Sequence, residues 1–153
     1  MSVKKRPVTF WIFTIFLSIS ILLMLIGQTI SVFDYDLTVS MGLQEDPLEV
    51  GETVKQVNRG FGAGDTIIYV PLIAVSLIGL LKKKRWALIT TAAVAGVSAY
   101  WTVTVGFIFL FLPGTPGYTH VPGPEIWAYI ITYFVFGAWG LYYLLRHGEE
   151  LIR

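Results

Sequence analysis

The sequence predicts an all-α integral membrane protein, a four-helix transmembrane bundle with its N- and C-termini on the cytoplasmic side. Three observations carry that prediction. The 153 residues are 55% hydrophobic and only 14% charged, too apolar for a soluble domain and too few for several domains. Four apolar runs, at residues 8–32, 66–81, 86–112 and 126–145, contain no Asp, Glu, Lys, Arg or His. Basic and acidic residues alternate between the segments that join these runs. One transmembrane domain over residues 1–153 is expected. The chain has no cysteine, so disulfides, thiolate metal sites and Cys nucleophiles are excluded. The net charge of +1, without a basic stripe, implies no nucleic-acid partner.

The first run follows the basic head Lys4-Lys5-Arg6. A cleaved signal peptide also starts this way, but residues 8–32 exceed a signal core and lack an Ala-x-Ala-like cleavage site, so a retained helix is expected. Residues 33–65 form the first outer loop. Asp34, Asp36, Glu45, Asp46, Glu49 and Glu52 face only Lys55 and Arg59 there. About thirty residues exceed an ordinary connection, which suggests a function, a short helix opened by Pro47, or both.

The second run, residues 66–81, rises about 24 Å as a helix, short of the roughly 30 Å hydrocarbon core. It must gain length from flanks that Gly60, Gly62 and Gly64 make flexible, and Pro71 should kink its first turns. Lys82-Lys83-Lys84-Arg85 ends it. The third run, residues 86–112, is taken as the centre of the bundle. Ala92 and Gly96 stand four apart, and Ala95, Ala99, Thr102 and Gly106 follow an adjoining stripe. Helices in lipid associate by close backbone approach, so this face should meet neighbouring helices or a second membrane protein. Residues 113–125, rich in Pro and Gly, form the second outer loop, and the fourth run ends at Arg146 and His147.

Placing the head, the Lys82–Arg85 knot and the tail on one side puts nine of the eleven Lys and Arg there with two acids. That side carries about +7 and the other about −6, which together give the chain's +1. The positive-inside rule makes the basic side cytoplasmic. A plasma-membrane, multi-pass location follows, with the lipid bilayer as the first partner. The two helices that run from the acidic to the basic side also begin alike, as Asp65 and Tyr69 match Glu125 and Tyr129 in spacing. A duplicated hairpin would produce this, and so would the ordinary preference of acids for helix N-termini and of Tyr for interfaces.

Candidate ligand-binding residues are Arg59, Asp65, Glu125, His120, Tyr100 and Trp101. The run Arg59-Gly60-Phe61-Gly62-Ala63-Gly64-Asp65 leads into a short membrane segment, the kind of interrupted helix whose freed backbone groups form binding sites. It lacks the Lys-Ser or Lys-Thr of a phosphate loop. The plainer reading makes Asp65 an N-cap and pairs Arg59 with a nearby acid. Tyr100 and Trp101 should face a ligand or fill the bundle. His120 is alone in its loop and no EF-hand spacing occurs, so no metal site and no cofactor is expected. Two functions are consistent with these features. One is an accessory or interaction subunit that self-associates or meets a partner through Ala92, Gly96, Ala99 and Gly106. The other is a membrane-embedded enzyme or carrier for a lipidic or small molecule, with Asp65 and Glu125 at its outer-leaflet site.

Overall fold

A computed structural model describes residues 6–153; the expectations for Lys4 and Lys5 lie outside the described residues. Four helices long and apolar enough to cross a membrane make up most of the chain. They are α1 (Val8–Phe33), α3 (Pro47–Leu81), α4 (Trp86–Phe111) and α5 (Pro124–His147). A short α2 (Tyr35–Ser40) follows α1, and a 3-10 turn, Gly148–Leu151, follows α5. Each crossing packs on the next, α1 on α3, α3 on α4 and α4 on α5. The fourth then returns to the first through aromatic rings, with Phe16 stacked on Phe136 at 3.5 Å between centroids and Phe13 on Trp139 at 5.3 Å.

Polarity is arranged as lipid requires. Ile15, Leu22, Ile67, Ile89, Phe111 and Leu145 are exposed, whereas Ser20, Ser76, Ser98 and Thr102 are buried. Hydrocarbon offers no partner, and several of these hydroxyls bond across helices or to a carbonyl of their own helix, as Ser76 does to Leu72 and Thr102 to Ser98. Ser20 bonds Tyr133 across α1 and α5 at 2.9 Å, Tyr69 bonds Ser98 across α3 and α4 at 2.7 Å, and Thr9 bonds Tyr143 at 2.8 Å.

Half of the small-residue stripe is used inside the chain. A Cβ added at Gly137 of α5 would lie 2.7 Å from both the Ala95 carbonyl oxygen and the Ala99 nitrogen, and one at Gly140 would touch the Ala95 Cβ at 3.4 Å. Ala95 and Ala99 are therefore where α5 comes closest to α4. Gly96 and Gly106 have open space beside them.

Within the expected outer loop over residues 33–65, Pro47 opens a helix as anticipated, but that helix is long and runs on into the second apolar run. Asp34 caps α2 by accepting from the Leu37 amide at 3.0 Å, and Asp46 caps α3 by accepting from the Leu48 amide at 2.9 Å, with Pro47 in the first helical turn. After a break at Gly51, α3 runs 30 residues to Leu81, about 45 Å at helical rise, so its amphipathic head extends well beyond a hydrocarbon core. The second crossing is not short. Gly60, Gly62 and Gly64 are helical because Gly62 lets α3 approach α1: a Cβ there would meet the Gln28 carbonyl oxygen at 2.8 Å. Packing overrides the low helix propensity of these glycines.

Where Pro71 was expected to kink the helix, a π turn, Asp65–Tyr69, stands immediately before the segment that holds the proline. A wider turn accommodates the missing amide of Pro71 without breaking the helix. A second π turn, Met24–Thr29, lies opposite in α1, and Thr66 donates to Thr29 across the pair at 2.9 Å.

All the described basic ends share one end of the bundle. After α3 the chain reverses in a Schellman turn, where the Lys84 amide donates to the Gly79 carbonyl, the Lys83 amide donates to the Leu80 carbonyl, and Lys83 has φ 54°. Arg6 donates to the Leu81 carbonyl at 3.0 Å, Lys83 to the Arg153 carbonyl at 2.7 Å, and Arg85 pairs with Glu149 at 2.8 Å. The acids of α2, the head of α3 and the loop before α5 lie at the other end.

Candidate ligand cavity at the acidic end

Between the ends of α1, α4 and α5 on the acidic side, and flanked on the fourth side by residues 39–50 and the head of α3, lies a cavity of about 570 Å³. This is the size range of small-molecule sites. Leu23, Met24, Val105, Ile108, Phe109 and Ile130 contribute to its apolar wall, and Trp101 and Tyr129 stand edge to face at 6.0 Å. Polar groups gather toward the rim, where Glu45, Asp46, Glu49, Tyr118, His120 and Glu125 all line it.

One non-helical residue shapes this rim. Gly51 has φ 80° and ψ 158°, a conformation reserved for glycine, and breaks the first turn of α3 from the rest. The break presents the Glu49 carbonyl to the loop before α5, and it accepts from the Thr119 amide at 2.7 Å. Glu49 also receives His120, with Nδ1 2.8 Å from Oε2. The loop is thereby strapped over the head of α3. Because a carboxylate only accepts, Nδ1 carries the hydrogen in this contact.

Two buried polar atoms on the rim have no partner among the described residues, the Tyr118 hydroxyl and His120 Nε2. Tyr118 is only 8% exposed. Burial first, then the nearby Glu45 and Glu49, raises its phenol above the ordinary range, so the hydroxyl stays protonated. A deeper void, lined by Asp65, Tyr69, Ser98 and Tyr133, shares Met24 and Trp101 with the large cavity.

The sequence-derived candidates therefore separate. Glu125, His120 and Trp101 meet at the large cavity. Asp65 lies inside α3 within the π turn and is no N-cap, because the helix continues through it from Pro47. It lines the small void, so Asp65 and Glu125 do not share a chamber, and their helices do not begin alike. Arg59 pairs with no acid among the described residues; it donates to the Val32 carbonyl at 2.8 Å and to Gln56 at 3.1 Å, closing the end of α1. Tyr100 is 73% exposed on the outer surface of α4 and lines neither cavity. One position along a helix turns a side chain by about 100°, which separates Tyr100 from the inward Trp101.

Sequence reasoning missed Glu45, Glu49 and Tyr118 as rim groups. Their convergence depends on the Gly51 break and on the strap between two loops distant in sequence. The only available signal was the unusual length of the acidic segment. Among the described residues no group of three or more His, Asp or Glu is placed to hold a metal ion. Comparison with known proteins finds no family model, no curated relative and no solved structure that matches this chain.

Proposed function

We propose that this protein binds an amphipathic small molecule or lipid in the cavity at its acidic end, as a carrier, receptor or enzyme of the outer leaflet. The observation that supports this reading is the 570 Å³ cavity itself, lined by apolar side chains such as Leu23, Val105 and Ile130 together with Glu45, Asp46, Glu49 and Glu125. Blocking it should abolish binding. A Val105→Trp protein is expected to lose at least tenfold in affinity for a neutral solvatochromic dye such as Nile red, titrated in non-ionic detergent, while its helical circular dichroism is retained. Equal dye binding by the well-folded variant and the parent would remove the cavity as the site.

We assign the basic end to the cytoplasm and the cavity to the outer face of the plasma membrane, because Arg6, the Lys82–Arg85 turn and Arg146 cluster at one end. A single cysteine at Glu49 should react with a membrane-impermeant maleimide on intact cells. Labelling only after the cells are opened would reverse the orientation.

Self-association is a second proposal, favoured by the open space beside Gly96 and Gly106. Ala95 and Ala99 are already occupied by α5, so the accessory-subunit reading rests on the Ala92, Gly96 and Gly106 side alone. Light scattering of the parent and Gly96→Val proteins tests it, with loss of a dimer in the variant as the expected result.

A further inference from the structure

We propose that the ligand of the outer cavity carries an ammonium head with N–H donors on an apolar body, a primary or secondary amine amphiphile. This assignment rests on the cavity being a binding site and adds the chemistry of the head group. Four carboxylates, from Glu45, Asp46, Glu49 and Glu125, line the cavity, and no Lys or Arg among the described residues does. Protein contacts engage only part of this acceptor capacity. Glu45 accepts from Asn58 through Oε2 at 2.8 Å, Asp46 caps Leu48 through Oδ1, and Glu49 accepts from His120 through Oε2. The second oxygen of each, and the Glu125 carboxylate, accept no hydrogen bond among the described residues.

The unpartnered atoms point to the same chemistry. His120 gives its Nδ1 hydrogen to Glu49, and its buried Nε2 has no hydrogen-bond partner among the described residues. The Tyr118 hydroxyl, in a residue only 8% exposed, also lacks a partner and has lone pairs free. Buried polar atoms are ordinarily satisfied, and a ligand N–H is a group that the lone pairs of the Tyr118 hydroxyl can accept from. An N–H-bearing cation supplies several donors and the charge that the carboxylates call for. Trp101, Tyr118 and Tyr129 add aromatic faces that attract cations. A divalent metal does not fit, since no three carboxylates or imidazoles converge closely enough among the described residues. An anionic headgroup would face four like charges.

Competition against Nile red, with the full chain in non-ionic detergent and empty micelles subtracted, separates the alternatives. The probes are octylammonium, octyltrimethylammonium, 1-octanol and octanoate, which share one tail. Octylammonium is expected to compete at least tenfold more strongly than 1-octanol, octyltrimethylammonium to fall between them, and octanoate to be weakest. Glu125→Gln should narrow the octylammonium advantage over 1-octanol severalfold and leave 1-octanol itself unchanged. Tyr118→Phe should narrow the advantage of octylammonium over octyltrimethylammonium. If 1-octanol or octanoate competes as strongly as octylammonium, the ammonium assignment is overturned while the cavity reading stands. If octyltrimethylammonium equals octylammonium, the N–H requirement is overturned. Dye binding that is the same in the parent and Val105→Trp proteins overturns both readings.

Discussion

A Gly137→Val protein is expected to lose about 1–3 kcal/mol of stability, the usual range for forcing extra carbon into a packed interface, and to fall at the upper end of it. The atoms that a Cβ would meet are the Ala95 carbonyl oxygen and the Ala99 nitrogen, both at 2.7 Å, and these belong to the backbone of α4. A side chain can rotate away, whereas a helix backbone moves only as a unit. Relief would require α5 to shift, which would disturb the Tyr133–Ser20 and Tyr143–Thr9 bonds on its other contacts with α1. Unfolding in mixed micelles of rising dodecyl sulfate content, followed by circular dichroism, measures the effect. Gly96→Val is the matched comparison, because nothing lies within 4 Å of its added Cβ, and its stability should change by less than about 0.5 kcal/mol. Equal midpoints for the two variants would contradict the assignment of Gly137 to the closest helix contact.

Gly51→Val should act locally and strongly. The φ of 80° with ψ 158° lies in a region essentially closed to residues with a Cβ, and holding one there costs about 1–3 kcal/mol. The rest of α3 can relax this strain by becoming regular helix, which turns Glu49 away from the loop before α5. The strap from the Glu49 carbonyl to the Thr119 amide, and from the Glu49 carboxylate to His120, is then lost. Hydrogen exchange at the Thr119 amide should accelerate by about tenfold or more, as 1.4 kcal/mol corresponds to a factor of ten. Exchange at the centre of α4 should hardly change. Unaltered protection at Thr119 would show that the strap does not depend on Gly51.

The number of helices long and apolar enough to cross a membrane was legible in the residues alone, although the second begins at Pro47 rather than at residue 66. Apolar runs of sufficient length, free of charge, can only be satisfied in lipid as helices, and this condition is local to each run. The clustering of the Arg6, Lys82–Arg85 and Arg146 ends followed from the same runs, because the number of crossings fixes which ends lie together. The acidic segment was different. Its glycines read as flexible, yet Gly60, Gly62 and Gly64 are helical because α1 lies against Gly62, a contact between residues more than thirty positions apart. Pairing Asp65 with Glu125 used sequence spacing from each run's start, and that spacing failed once α3 was found to begin at Pro47. Tyr100 and Trp101 were indistinguishable as neighbours in sequence until packing selected which of them faces inward. Likewise, no local pattern places Glu49 against His120. That contact exists because Gly51 turns the chain and the loop after α4 folds back over it, so the cavity and its rim were decided by the tertiary structure.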